Sequence, residues 1–210
     1  MNIYNLESKK TGEIISSNTN SFIAQCIKDK NKDELTLPQA PYFGSFVKAK
    51  GEELGFDIIA IVYEISSGSI DSIHRPTAMN LSREELRLNQ PQIFDLLKTD
   101  FSAIIIGYIV NDKIFQSIPP HPPQIHDFVY TCDSKEITMI TEKKDYLRTL
   151  LNSGINLSEE LIQASIKYGY YSRGCNRDFL VETGRELSSL LKDNYDKLSS
   201  ILKRINPSNF

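Results

Sequence analysis

Two apolar runs dominate the middle of the chain, Ala103–Val110 and Lys113–Ile118, separated by Asn111-Asp112. β-Branched and aromatic residues bounded by Asn/Asp and Pro clusters mark strands and their turns, so this stretch predicts a hairpin. A proline segment, Pro119-Pro120-His121-Pro122-Pro123, comes next, and Asp127–Cys132 reads as another short strand. Upstream, Gly12–Ser16 and Ser21–Ile27 form an opening strand pair with Asn18-Thr19-Asn20 as its turn, followed by a charged loop over Lys28–Glu34. The run Tyr42–Lys48 and a break over Gly51–Gly55 lead into Phe56–Ile65, long enough for a central strand. Ser66-Ser67-Gly68-Ser69 is expected to end it, since small residues permit the tight corners a closed sheet needs. Together these runs predict a β-barrel or a strongly curved sheet.

Helix signals interrupt and then replace this pattern. After a loop over His74–Leu81, Ser82-Arg83-Glu84-Glu85 fits a capping box. Pro91 should stop that helix, with a second helical piece over Gln92–Lys98. Lys135–Thr141 reads as the last strand. Beyond Thr141 the apolar period changes from two to about three and a half. Tyr146, Leu147, Leu150 and Leu151 suggest a short helix ending near Gly154. Ser158 suggests the N-cap of a second helix, with Leu157 and Ile162 as its staple. Tyr168–Asp178 breaks the pattern, and Leu187, Leu191, Leu198, Leu202 and Ile205 give one last helical seam before Pro207. Strands followed by a run of helices indicate an α+β fold. The expectation is an antiparallel β-barrel domain over residues 1–141, with a helical insertion at about 82–98, and a C-terminal three-helix unit over 142–210.

Composition adds few constraints. Hydrophobic content of 40% and charged content of 24% over 210 residues are ordinary for a globular chain able to bury a sizeable core. The net charge of −3 gives no global attraction to nucleic acid or anionic membrane. Of the 24 basic and 27 acidic residues, 13 and 18 lie at or before Thr141, leaving the remainder near neutral. Cys26, Cys132 and Cys175 are too few and too scattered for a disulfide scaffold. No apolar run is long enough to span a bilayer, and the N-terminus lacks a signal-peptide core. The expected location is the cytoplasm.

Several segments resemble the HAS-barrel family, named for the barrel shared by HerA-type DNA-translocating ATPases and the ATP synthase α and β subunits. They are Phe43-Gly44-Ser45-Phe46-Val47-Lys48, Ile58–Ile65, Ile106-Gly107-Tyr108, Ile118-Pro119-Pro120-x-Pro122-Pro123, His126-Asp127-Phe128-Val129-Tyr130 and Gly184-Arg185-Glu186-Leu187-Ser188. The whole chain looks like a stand-alone cyanobacterial member of that family. The resemblance implies a barrel that packs side by side in rings or docks onto a partner. It does not bring ATP hydrolysis, because the sequence contains no GxxxxGK[ST] phosphate cradle.

The chemistry-bearing residues form no recognisable catalytic set, which points away from an enzyme, and no cofactor is expected. His121, His126 and Cys132 are the candidates for a metal such as Zn²⁺. Their H-x4-H-x5-C spacing matches no established finger, so solvated loop histidines are the preferred reading. Pro119, Pro120, Pro122 and Pro123 favour polyproline II, either as a docking ligand or as a stiff connection. Arg173 and Arg177, near Tyr168, Tyr170 and Tyr171, have the types that contact phosphates and bases. Leu187, Leu191 and Leu198 would cover the barrel or meet another subunit. The leading expectation is therefore a non-enzymatic assembly or adaptor protein with a protein partner or self-association. The alternative is a nucleic-acid-binding accessory factor in DNA processing.

Overall fold

The computed structural model describes residues 6–28, 38–70 and 76–206. Within them the alternation of inward and outward residues builds seven strands: β1 (Lys10–Ser17), β2 (Ser21–Cys26), β3 (Phe46–Ala49), β4 (Asp57–Ser69), β5 (Leu97–Val110), β6 (Lys113–Phe115) and β7 (Phe128–Thr131). Turn chemistry sets the two hairpins. The Asn18 side-chain oxygen accepts from the amides of Asn20 and Ser21 at 3.0 Å, closing β1–β2. Asn111 and Asp112 both take positive φ, 46° and 61°, in the two-residue turn whose twist suits β5–β6. Lys28–Glu34 runs largely outside the described residues.

All pairings are antiparallel, in the order β2-β1-β7-β3-β4-β5-β6, and β2 also pairs with β5. The sheet thus closes in a ring, with β6 continuing along the β5 edge past β2. Register shifts at Ile59/Ala60 and Val62/Glu64 mark bulges, the first in β5 at Ile106 and the second in β4 at Tyr63, which bend these long strands around the closure. Phe22, Val47, Ile58, Val62, Phe101 and Val129 fill the ring's interior.

Among the described residues seven helices accompany the ring: α1 (Arg83–Asn89), α2 (Gln92–Asp95), α3 (Ser134–Ile140), α4 (Asp145–Leu151), α5 (Ser158–Ser172), α6 (Arg177–Leu190) and α7 (Tyr195–Arg204). The Ser82 box is present, its hydroxyl accepting from Glu85 N–H at 3.2 Å and its amide donating to the Glu85 carboxylate at 2.7 Å. Pro91 separates α1 from α2 as expected. α5 is the hub of the others, packing on α3, α4, α6 and α7. Their apolar faces meet the outer side chains Phe46, Ile59, Ile61, Ile104 and Ile106 of the ring in one buried cluster. The core therefore runs continuously across residue 141. A Lys48–Glu136 ion pair ties β3 to α3 at its rim.

Several expectations fail for physical reasons. Lys135–Thr141 is helix α3, not a strand. Asp133 accepts from the amides of Lys135 and Glu136 at 2.8 and 2.9 Å, and Glu136 returns the bond at 3.0 Å. Ile137 and Ile140, three apart, face the core while Met139 points outward. Ser66–Ser69 does not end its strand, and the second helical piece stops at Asp95, because Ser69 pairs with Leu97 and Ser66 with Asp100. A ladder partner outweighs local composition there. The tail holds four helices, α4–α7, not three. The seam from Leu187 to Ile205 breaks where Asn194 caps α7, accepting from Lys197 N–H at 3.1 Å. Finally, α5 runs through to Ser172, and Ser158 is its first residue, with Leu157 at the cap position and largely exposed.

Candidate functional site

The residues singled out as metal candidates sit in different environments. The Cys132 amide donates to the Phe46 carbonyl at 3.0 Å, and its side chain is buried in the ring–helix core. His126 holds the turn before β7: its φ is 75°, its amide donates to Ile14 O at 2.9 Å, and its Nδ1 meets Glu13 Oε1 at 2.6 Å. His121 is exposed in the proline segment. Among the described residues no group of three or more His, Cys, Asp or Glu gathers as a metal site.

Buried thiols give the fold a pH dependence. Burial, then the Asp100 charge, pushes the Cys26 thiol up from 9.0 to about 12. Burial raises Cys132 as well, reinforced by Glu136. The folded chain keeps these protons after the unfolded chain has released them. Stability is therefore complete below pH 9 and is lost as pH rises from there towards the folded value. Urea titrations at pH 9 and 11 should show the wild type losing about 2 kcal/mol more than Cys26→Ala over that interval. Parallel pH profiles for the two proteins would contradict the assignment.

The proline segment is turned partly inward. Pro119 and Pro123 are buried, Pro122 is half-buried and Pro120 is exposed. Just before it, the Gln116 side chain donates to the carbonyls of Ile140 (2.6 Å) and Lys143 (3.1 Å) and accepts from Tyr146 N–H (2.8 Å). The segment is thus anchored to the α3–α4 junction, the geometry of a stiff connection.

Arg173 is engaged within the protein. Its guanidinium donates to Thr138 O and Thr141 Oγ1, both at 2.7 Å, and to Gly169 O at 3.0 Å. It also lies 4.4 Å from the Phe179 ring centroid. Those bonds hold the end of α5 against the end of α3. Tyr168 and Tyr170 are buried, and Tyr171 packs edge-on against Tyr170. Arg177 is exposed at the start of α6. Leu187 and Leu191 are buried in the ring–helix cluster, with Leu198 packed against it. The structure therefore spends Arg173, the tyrosines and the leucine seam on internal packing.

One apolar surface lies at the helical insertion. No residue of α1 is buried, and Leu88 is 83% exposed. Met79, Leu86, Ile93, Phe94, Leu96 and Leu97 line a groove of about 370 Å³. Ile70, 56% exposed, joins its edge, its amide N–H donating to Leu96 O at 2.8 Å. The charges on α1 are of both signs, Arg83, Glu84, Glu85 and Arg87. Sequence reasoning passed over this groove. The available signal was a pair of short helices with apolar residues on more faces than one sheet contact covers.

A second cleft, about 340 Å³, opens where the ring meets the helices, near Lys9, Thr11, Ser45, Thr131 and Tyr168. Two of its hydroxyls are committed to backbone: Ser45 Oγ donates to Tyr42 O at 2.6 Å and Thr131 Oγ1 to Glu7 O at 2.8 Å. No helix among the described residues is long and apolar enough to cross a membrane. No protein-family model matches the chain, and no curated protein matches it.

Proposed function

We propose that the protein is a non-enzymatic assembly element whose closed ring of strands is a HAS-type β-barrel, and that it associates with further copies of itself through the α1–α2 groove. The observation that carries this reading is the groove. It brings together the exposed Met79 and the half-buried Leu86, Ile93, Leu96 and Leu97, beside a helix with no buried residue. Exposed apolar patches rimmed by polar residues mark interaction sites. A symmetric interface must be self-complementary, and the two Arg and two Glu residues on α1 allow each charge to meet its opposite on a second copy. The resemblance to HerA-type barrels supports side-by-side packing, and a HerA-like ATPase is the larger complex on which such a ring would dock.

Light scattering coupled to size-exclusion chromatography tests this at about 10 and 200 µM. The wild type should elute as an oligomer. Met79→Lys with Leu88→Asp should weaken association tenfold or more, since apolar anchors at an interface centre dominate its energy. A wild type with monomer mass at both concentrations overturns self-association.

A further inference from the structure

Away from the groove and from the helical cover, the outer face of β1–β7–β3 carries two aromatic rings among lysines. Lys10 and Lys48 are each in register with Tyr130, so the three stand in one row across the strands. In the adjacent row Glu13 is in register with Phe128, and the Lys50 amide donates to Phe128 O at 3.1 Å. The alternate residues Val47, Ala49 and Val129 are fully buried inside the ring. Strand period therefore fixes the lysines and rings outward.

The electrostatics of this face are specific. Lys48 is committed to Glu136. Lys10 Nζ lies 3.0 Å from the Phe128 centroid and Lys50 Nζ 5.4 Å from that of Tyr130. Among the described residues neither of these two ammonium groups meets a carboxylate. Phe128 is 37% exposed, whereas Phe22, Phe46, Phe94, Phe101 and Phe179 are all buried. Side chains two apart on a strand stand roughly 6.7 Å from each other, which gives each ring room for its own planar partner.

We propose that this face binds single-stranded nucleic acid, with Lys10 and Lys50 taking phosphates and Phe128 and Tyr130 stacking on consecutive bases. Each ammonium stands over a ring face, Lys10 on Phe128 and Lys50 on Tyr130, and swings from that face to a phosphate as a base takes its place. An acidic peptide would satisfy the lysines and leave the rings unused. Duplex DNA hides the base faces that the rings need. At the Phe128 end, burial and the charges of Glu53, Glu52 and Asp57 raise the Asp127 carboxyl. That acidic border repels a polyanion and directs the strand away from it, past Tyr130 and towards the helical rim. The contact is short, two phosphates and two bases, and so the binding is weak and salt-sensitive.

Fluorescence anisotropy with labelled oligothymidylate and oligouridylate of about twelve nucleotides, at about 50 to 200 mM salt, tests the proposal. Two phosphate contacts predict a log–log salt slope of about −1.4. Lys10→Ala with Lys50→Ala should weaken binding at least tenfold and flatten that slope. Phe128→Leu should weaken binding about tenfold and leave the slope unchanged. Glu13→Gln, which removes the one carboxylate in the two rows, should tighten binding about twofold, a gain that misfolding does not produce. No binding at the lower salt overturns the proposal. So does equal affinity for an oligoglutamate peptide together with a silent Phe128→Leu, which would define a general anion patch.

Discussion

Gly44→Ala is expected to destabilise the fold by about 3–4 kcal/mol and to lower the melting temperature by roughly 10 °C. Gly44 adopts φ +77°, and its amide donates to Val62 O at 2.8 Å, so its backbone is tied to β4. A left-handed conformation costs a residue with a Cβ about 1–2 kcal/mol. The added methyl would also stand 2.2 Å from Ala164 Cβ and 3.2 Å from Ala164 Cα. Ala164 belongs to α5, the hub of the helical cover, and its backbone has nowhere to retreat without lifting the helix off the ring. Overpacking of that kind adds about 1–3 kcal/mol. Ala164→Gly in the Gly44→Ala background should recover part of the loss, as contacting sites do in a double-mutant cycle. Equilibrium urea denaturation decides the matter: a loss below about 1 kcal/mol for Gly44→Ala would mean that α5 is not seated against Gly44.

Arg173→Ala should cost about 3 kcal/mol, an effect much larger than surface arginines show. The side chain supplies donors to the Thr138 carbonyl and the Thr141 hydroxyl across the α3–α5 junction, and to the Gly169 carbonyl of its own helix. Truncation leaves these acceptors unpaired in a partly buried crevice, and hydrogen bonds from charged groups contribute about 1.5–3 kcal/mol. The Phe179 contact is lost as well. Arg173→Lys should recover less than half of the loss, because an ammonium does not reproduce the planar fork that reaches Thr138 O and Thr141 Oγ1 together. Affinity for oligothymidylate should be unchanged in Arg173→Lys. A stable Arg173→Ala protein would remove Arg173 from the packing account and return it to the surface.

The strand series was legible where local chemistry agrees with pairing. The Asn18–Asn20 and Asn111-Asp112 turns, the Ser82 capping box and the break at Pro91 all rest on contacts within a few residues, and each stands in the structure. What failed depended on partners distant in sequence. Ser66–Ser69 remains a strand only because Leu97–Asp100 lies beside it. Ile137, Met139 and Ile140 fit either period, and the Asp133–Glu136 box that decides for helix went unread.

The candidate sites follow the same division. Arg173 and the tyrosines look like a binding surface in sequence, since composition does not reveal that Thr138, Thr141 and Phe179 fold onto them. Phe128 and Tyr130 belonged to a strand that was expected. Their placement between Lys10 and Lys50, however, arises from cross-strand register between segments more than a hundred residues apart in part. The α1–α2 groove became visible only once the sheet had left most of those apolar side chains partly covered.

Hydrogen–deuterium exchange at about 2 and 200 µM protein tests self-association through the groove most directly. The account predicts that amides of α1 and of the groove segment Met79–Leu97 gain protection at the higher concentration, while those of α4 and α5, already buried in the core, do not change. Identical exchange at both concentrations, or protection appearing on another face, would contradict it.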